Sequence, residues 1–413
     1  MTKKTLHAGL LYWPTTLPAV QAYEPLGLQD AEFDVVIVGG GMSGTLCGYV
    51  LANSGIRAAV VERDDIASGS SSANTGLIQF SNDIMMCELA DQIGEPNAVA
   101  FYKACKQAVE QLALLANRLP ADLEFKRRPS LYLASTEQDL PKLRREFELL
   151  QKHGFDVDWW TPDDIRAHFP FTKSGAIVAR GDAEVNPYKL VHALADAAVQ
   201  EGLTIYEHTG VQQHITKDGI HRLSTAEGGE LRAKHVIFAI GYEPEELRGQ
   251  FIKATMNQSF VIVTQPQASS FDVWHERFMI WETARPYLYL RTDSNNRIIV
   301  GGLDQKGMVP LSSDVPRQAQ IGKLYKQLLA LFPTMSAPID YAWCATFGES
   351  RDNLPFIGKD PARENVYYSL GYGGNGIVYS LIAARLLRDL INGEQPPLAD
   401  IVRLDRPSLQ ALT

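Results

Sequence analysis

The chain has 413 residues, 45% hydrophobic and 21% charged, close to the averages of folded globular proteins, which excludes disordered, collagenous and coiled-coil classes. At roughly 100 to 200 residues per domain, this length implies two or three domains with ample core. Thirty-nine basic against forty-eight acidic residues leave a net charge of −9, a balance that repels phosphate backbones and argues against a nucleic-acid partner.

In chain order, Phe33-Asp-Val-Val-Ile-Val38 is a β-branched run that ends in Gly39-Gly-Gly-Met-Ser-Gly44. Thr45 to Ala52 follows with apolar residues at helical spacing and an Asn53-Ser-Gly55 stop, and Ile56 to Val61 is a second apolar strand closing on Glu62. This is a βαβ unit with strands buried on both faces. Past residue 85 the pattern predicts amphipathic helices over Asn97 to Arg118 and Leu140 to His153, with a strand from Leu123 to Ala134 between them. Thr161-Pro-Asp-Asp164 carries a cap, a proline at the first helical position and an acid three residues on, so a short helix starts there. The α/β character returns with a helix Pro187 to Glu201, a strand Thr204 to Glu207 and an apolar strand His235 to Ile240 ending at Gly241. Ser259 to Thr264, Tyr287 to Arg291 and Arg297 to Gly302 then read as strands of an antiparallel sheet without long helices between them. Val366 to Leu370 is a last strand, Gly371-Tyr-Gly-Gly-Asn-Gly376 a glycine loop, and Ile377 to Ile391 the closing helix.

The expected fold is thus α/β plus α+β, two interleaved domains. A Rossmann-like domain with a central parallel sheet takes residues 28–85, 170–250 and 335–413 after an N-terminal extension, 1–27. A substrate domain on a largely antiparallel sheet takes 86–169 and 251–334. The scattered cysteines Cys47, Cys87, Cys105 and Cys344 form no C-x-x-C pair, which suits buried thiols in a reducing cytoplasm. The histidines show no metal-ligand spacing, so no metal is expected. Pro14 interrupts the apolar stretch near Leu10, and no apolar run approaches the roughly 18 to 20 residues that cross a bilayer.

In Gly39-x-Gly41-x-x-Gly44 the first glycine permits the turn, the second lets backbone approach a pyrophosphate, and the third lets helix pack on strand. Glu62 closes the next strand, where a carboxylate accepts ribose hydroxyl protons. Together they predict a dinucleotide. Gly69-Ser-Ser-Ser-Ala-Asn-Thr-Gly76 adds small hydrogen-bonding residues suited to lie along a diphosphate and a ring edge.

With the strand Val236-Ile-Phe-Ala-Ile-Gly241, Trp343…Asp352-Asn-Leu-Pro-Phe-Ile-Gly358 and Gly371-Tyr-Gly-Gly-Asn-Gly376, these motifs make the sequence resemble the D-amino acid oxidase superfamily of FAD enzymes. The similarity is to its glycine oxidase, sarcosine oxidase and γ-glutamylputrescine oxidoreductase branch, and it spans nearly the whole chain. It implies an FAD-dependent oxidoreductase in which Gly39, Gly41, Met42, Ser43 and Gly44 hold the pyrophosphate. Glu62 would hold the adenosine ribose, Arg63 would be a further cofactor contact, and Val211 would meet the adenine side through its backbone. Ser70, Ser71, Asn74, Gly76 and Leu77 would run beside the diphosphate, ribityl chain and isoalloxazine, with Ala239 and Gly241 on the facing strand. The amides of Gly373, Gly374, Asn375, Gly376 and Ile377, at a helix N-terminus, would stabilise the anion of the reduced flavin.

The implied reaction is amine oxidation: a C–H beside a neutral amino group gives hydride to flavin N5, and the imine is hydrolysed. No single catalytic acid or base is assigned, because proximity and orientation supply much of the barrier reduction. Gln79, Tyr287, Tyr289 and Tyr372 are the candidate substrate contacts. Period-two alternation puts Tyr287, Tyr289 and Arg291 on one sheet face, which either lines the substrate pocket or is covered by the helix at Asn97. The sequence departs from the family where carboxylates are clamped. The arginines of glycine oxidases correspond to Phe347 and Gly374, and the arginine and lysine of sarcosine oxidases to Gln79 and Val378. An unpaired substrate carboxylate is costly, so a larger amine is favoured over glycine or sarcosine. The cysteine that carries flavin covalently in sarcosine oxidases corresponds to Ala345, one place from Cys344, so FAD is expected to be non-covalent. Glu349 and Arg351 either serve an ionic substrate or form a surface pair. The acceptor is oxygen or an electron carrier, and the oligomeric state is not legible. The competing readings are a flavin dehydrogenase of a 2-hydroxy acid or polyol, and a flavoprotein subunit inactive without its partner.

Overall fold

The computed structural model describes residues 6–242, 254–267, 273–307, 313–335, 338–371 and 373–411. Two large sheets organise it. The first has four consecutive parallel strands in the order Thr204–Tyr206, Ala58–Val61, Asp30–Val38 and Glu230–Phe238. Its central residues Val35, Val36 and Ile37 are fully buried, as expected when a parallel sheet is covered on both faces. Glu230–Phe238 then forks. Leu231–Ala233 pairs with the hairpin Val211–Lys217 and Ile220–Thr225, whereas Val236–Phe238 pairs in parallel with Val366–Tyr368.

The helices Met42–Ala52, Pro187–Gln200 and Gly376–Ile391 pack together beside this sheet. Met42–Ala52 buries residues around most of its circumference, including Gly44, Leu46, Cys47 and Leu51, so it is a core helix with little amphipathic signal. Glu95–Arg118 packs on Gly376–Ile391 and on Met86–Ile93.

The second sheet has nine strands in the order His7–Leu10, Ile339–Ser350, Ala254–Thr264, Ile298–Lys306, Leu288–Thr292, Met279–Glu282, Ser130–Leu133, Ala176–Ala179 and Val157–Trp160. Every neighbouring pair is antiparallel except Ser130–Leu133 with Met279–Glu282. One face is covered by the helix Asp314–Leu331 through Ile321, Leu324 and Leu328, which join a core with Phe260, Ile262 and Val300. The opposite face looks towards the parallel-sheet half and carries the residues described below.

Three expectations change. Ala176–Ala179 and Ile339–Ser350 are strands of the nine-stranded sheet, although the sequence places both in the dinucleotide segments, because each lies directly beside a motif of that half. Asp314–Leu331 is a helix of 18 residues in a stretch to which the sequence reading assigns no element; Pro316 in its first turn and Gly322 inside it weaken the helical pattern. The single strand expected over Leu123 to Ala134 is two strands, Lys126–Arg127 and Ser130–Leu133, in different sheets, with Pro129 between them. Lys126–Arg127 joins Leu77–Ile78 and Ala183–Glu184 in a small third sheet. No helix among the described residues is long and apolar enough to cross a membrane.

Candidate active site

The first strand delivers its chain into a turn that only glycine fits. Gly39 has φ +112°, and a Cβ there would lie 2.5 Å from the Ala239 carbonyl oxygen; one on Gly44 would lie 1.8 Å from the Gly39 oxygen. Helix Met42–Ala52 therefore starts in contact with the strand, with its first amides turned into a cavity of about 670 Å³. Gly39, Gly41, Met42, Ser43, Glu62 and Arg63 line this cavity. So do Val211 on the hairpin, Ala239 and Gly241 just past the strand Glu230–Phe238, and Gly376 and Ile377 at the start of the helix Gly376–Ile391.

Glu62 is held in place rather than solvated. Its Oε2 accepts from the Gly40 amide at 2.7 Å and its Oε1 from the Asp64 amide at 2.8 Å. Burial pushes the carboxyl above its usual range, and those two amides offset part of the shift. Such a desolvated acceptor gains from hydroxyl donors such as those of a ribose. Ser71 Oγ accepts from the Met42 amide at 2.9 Å, tying the serine loop to the glycine turn.

The serine loop itself is gripped at three successive carbonyls. Trp343 Nε1 donates to the Ala73 oxygen at 3.0 Å, Trp13 Nε1 to the Asn74 oxygen at 2.6 Å, and Arg291 Nε to the Thr75 oxygen at 2.7 Å. Trp13 and Trp343 are fully buried and Arg291 is 2% exposed. Gly76 turns away with φ +74°, its amide bonded to Asn74 Oδ1 at 2.7 Å; a Cβ there would meet the Val185 oxygen at 2.2 Å. The loop thus enters the cavity in one fixed path, with its first residues wound into a short helix, Ser70–Ala73.

Ser70, Asn74, Tyr242 and Gly376 are shared between this cavity and a second one of about 150 Å³. Its lining adds Leu77, Gln79, Asp83, Gly373, Gly374 and Asn375 from the two loops. From the nine-stranded sheet come Ser259, Trp281, Tyr287, Tyr289, Asp304 and Phe347. Ser70 Oγ, Gln79 Nε2, Ser259 Oγ and Asp304 Oδ1 are buried without a hydrogen-bond partner, the signature of polar groups that await a bound molecule. The long first cavity, its amide-lined helix start, the desolvated Glu62 and these open polar atoms fit FAD.

At the last helix the structure modifies the expected row of open amides. Gly374 N–H donates to Asp83 Oδ2 at 2.6 Å and Gly373 N–H to the Gly348 oxygen at 2.9 Å. The absence of a side chain at Gly374 lets Asp83 come this close, and Gly373 takes a φ of +108° that favours glycine. Asn375, Gly376 and Ile377 keep amides without a described acceptor, and Asn375 Nδ2 holds the Gln79 carbonyl at 2.7 Å.

The charges of the second cavity are one-sided. Asp83 and Asp304 are the only charged side chains in its described lining. Burial pushes Asp304 up to about 7, with repulsion from Asp83 and Glu349 added and Ser259 and Arg285 offsetting part of it. Burial also raises Glu349, again with Asp83 contributing, although Asn257 Nδ2 donates to it at 2.6 Å. Burial holds Tyr287 well above the ordinary phenol range and Tyr289 at about 12, so both are hydrogen-bond donors at neutral pH. Tyr287 donates to Asp83 Oδ1 at 3.2 Å.

Of the sequence candidates, Gly44 and Gly76 shape the loops from outside either cavity, and Tyr372 lies outside the described residues. The alternation argument holds for Tyr287 and Tyr289, which line the cavity, but Arg291 is a buried prop of the loop, with Glu184 at 3.6 Å. The helix containing Asn97 does not cover that face. Phe347 and Gly374 line the cavity, whereas Val378 is core. Cys344 points into the opposite core beside Phe260 while Ala345 lines the cavity. Glu349 pairs with Asn257 rather than with the exposed Arg351. Sequence reasoning missed Asp83, Tyr242, Ser259, Trp281 and Asp304.

A family model described as DAO, FAD dependent oxidoreductase, matches residues 34–390. Glycine oxidase of Bacillus subtilis is 24% identical over 369 residues, covering 88% of this chain and 94% of that protein. Gamma-glutamylputrescine oxidoreductase of Escherichia coli is 25% identical over 372 residues, covering 87% and 84%. Among solved structures, glycine oxidase from Geobacillus kaustophilus superposes with a TM-score of 0.78 at 24% identity, over 90% of this chain and 98% of that one. L-proline dehydrogenase from P. horikoshii gives 0.76 at 18% identity, over 91% and 98%.

Proposed function

From the premise that the chain belongs to the DAO family of FAD-dependent oxidoreductases, we propose that it oxidises the carbon–nitrogen bond of an amine. The observation that carries this reading is the second cavity, continuous with the FAD cleft and lined by carboxylates and aromatic rings with no described lysine, arginine or histidine. An amine gains from that lining; a 2-hydroxy acid would bring its own carboxylate against Asp83 and Asp304.

When bound, FAD would supply the two-electron acceptor for hydride from the substrate carbon. The amine nitrogen forms a double bond to that carbon as the C–H electron pair leaves, and water then converts the imine to a carbonyl compound and a released amine. The chain's own part is placement and electrostatics. Trp13, Trp343 and Arg291 fix the serine loop along the cofactor's path. Asn375 fixes Gln79 at the junction with the substrate cavity, where Gln79 Nε2 and Ser259 Oγ offer polar contacts. The Asn375, Gly376 and Ile377 amides, at the start of the helix Gly376–Ile391, would stabilise negative charge on the bound cofactor. Tyr242, Trp281, Tyr287, Tyr289 and Phe347 enclose the amine and limit water.

The position of Cys344 on the far face of its strand supports non-covalent FAD. The electrons leave to oxygen or to a carrier protein. Anaerobic mixing of the FAD-replete protein with panels of amines, amino acids, 2-hydroxy acids and polyols tests the reading. Bleaching of the visible flavin band by amines is expected, and bleaching by hydroxy acids or polyols alone would overturn it.

A further inference from the structure

We propose that the substrate of this site carries a second, non-reacting cationic group, as a diamine does, and that Asp304 together with Asp83 holds that group. The inference rests on the amine reading and specifies its substrate class.

Three independent features converge. First, the cavity's charge is inverted relative to a carboxylate-binding site. A Cβ on Gly374 would lie 2.8 Å from both carboxylate oxygens of Asp83, so an anion stands in the space that a side chain at 374 would cross. Phe347, the other position at which a clamp was sought in the sequence, lines the same cavity without charge.

Second, the carboxylates exceed the cations within reach. Asp83, Asp304 and Glu349 repel one another, and Arg285 is the cation opposite them. Its guanidinium lies 4.9 Å from the centre of the Tyr287 ring and donates to the carbonyl oxygens of Asp83 and Ala284, leaving those carboxylates without a bond to it. A cluster of half-buried carboxylates is unfavourable in its charged form until a counter-charge arrives. Asp304 Oδ1 is a carboxylate oxygen on the cavity wall without a hydrogen-bond partner.

Third, the walls are aromatic. Tyr242, Trp281, Tyr287, Tyr289 and Phe347 surround the acids, and aromatic faces beside carboxylates are the combination that attracts ammonium groups. A single amine cannot use this arrangement fully, because its nitrogen must be neutral to release hydride from the neighbouring carbon. A second ammonium remains charged throughout and keeps the acids compensated.

The test is anaerobic stopped-flow reduction of the FAD-replete protein by diaminobutane, butylamine and glycine, separating the substrate dissociation constant from the limiting reduction rate. Diaminobutane is expected to bind at least about tenfold more tightly than butylamine, as befits one additional desolvated charge pair. Asp304→Asn is expected to erase most of that difference by weakening diaminobutane binding far more than butylamine binding, because it removes charge and not placement. Glu349→Gln, farther from the cavity, is expected to reduce the difference in part and serves if the first variant does not fold. Equal affinities for the two amines, tighter binding of glycine, or an unchanged difference in both variants would overturn the inference while leaving amine oxidation standing. Failure of every amine to reduce the flavin would overturn both.

Discussion

Glu62 shows how the backbone can fix a single side chain: both of its oxygens accept from amides, and the carboxylate lines the first cavity. Glu62→Gln replaces one acceptor with a donor and removes the charge from these bonds. Charge-assisted hydrogen bonds contribute about 1.5 to 3 kcal/mol, so the FAD dissociation constant, measured by fluorescence titration, is expected to rise at least about tenfold. Asp304 makes the opposite trade. Its folded value of about 7 lies above the ordinary carboxyl range near 3.9, so protonation favours the fold; that contribution is full below the unfolded value and lost as pH rises through about 7. Asp304→Asn is therefore expected to melt higher than the parent apoprotein at pH 8, with the gap narrowing towards pH 5, even as it binds diamines less well. A variant that melted lower at pH 8 would show that the carboxylate is structural. The glycine fingerprint and Glu62 were legible in the sequence because a tight turn is a local geometric demand. Asp83 and Asp304 were not, since the first depends on a loop meeting a distant glycine and the second on sheet register. Arg291 was misplaced for a related reason: alternation assigns a face and says nothing about what covers it.

At the scale of elements, the N-terminal segment acts as a strap. Its strand His7–Leu10 pairs antiparallel with Ile339–Ser350, and the following turn sends the Trp13 ring beneath the serine loop. The Arg291 guanidinium lies 5.2 Å from the centre of that ring, so strap, sheet and loop meet at one point. Trp13→Phe keeps the packing but leaves the buried Asn74 carbonyl unsatisfied, at a cost of about 1 to 3 kcal/mol. The expected result is a lower melting temperature and a severalfold faster loss of FAD on dialysis, with the limiting reduction rate nearly unchanged once FAD is saturating. A rate that stayed low at saturating FAD would place Trp13 in the chemistry instead. Most elements were readable, among them the first βαβ unit, Val366–Leu370 and the capped helix Pro162–His168, where Thr161 accepts from the Asp164 amide. The helix Met86–Ile93 was not, because its N-terminal amides are satisfied by Glu146 from a separate helix, which bonds Met86 N and Cys87 N at 2.9 and 2.8 Å.

Across the whole molecule, the two sheets face one another over the joined cavities, and the chain passes between them repeatedly. The crossings escaped sequence reading because a strand such as Ile339–Ser350 has the same local pattern in either sheet, and only its partners decide. The C-terminal segment is locked to this frame by Arg406, whose Nε and Nη2 bond Asp352 at 2.6 and 2.7 Å with both side chains buried. Burial alone would raise Asp352, but Arg406, Ser408 and Ser350 outweigh it and hold the carboxyl below its ordinary range. Its stabilising contribution is therefore present above the unfolded value near 3.9 and lost as pH falls below it. Asp352→Asn leaves a buried guanidinium without its counter-ion and is expected to cost about 3 to 5 kcal/mol in denaturant unfolding at pH 7. A loss below about 1 kcal/mol would mean that solvent reaches the pair. The most direct examination of the whole arrangement is the visible spectrum of the FAD-replete protein during anaerobic titration with diaminobutane. Stoichiometric bleaching of the flavin, with glycine and 2-hydroxy acids inert at the same concentration, is the expected outcome. A flavin that stays oxidised with the diamine and is bleached by a 2-hydroxy acid would contradict the reading of the acidic cavity as an amine site.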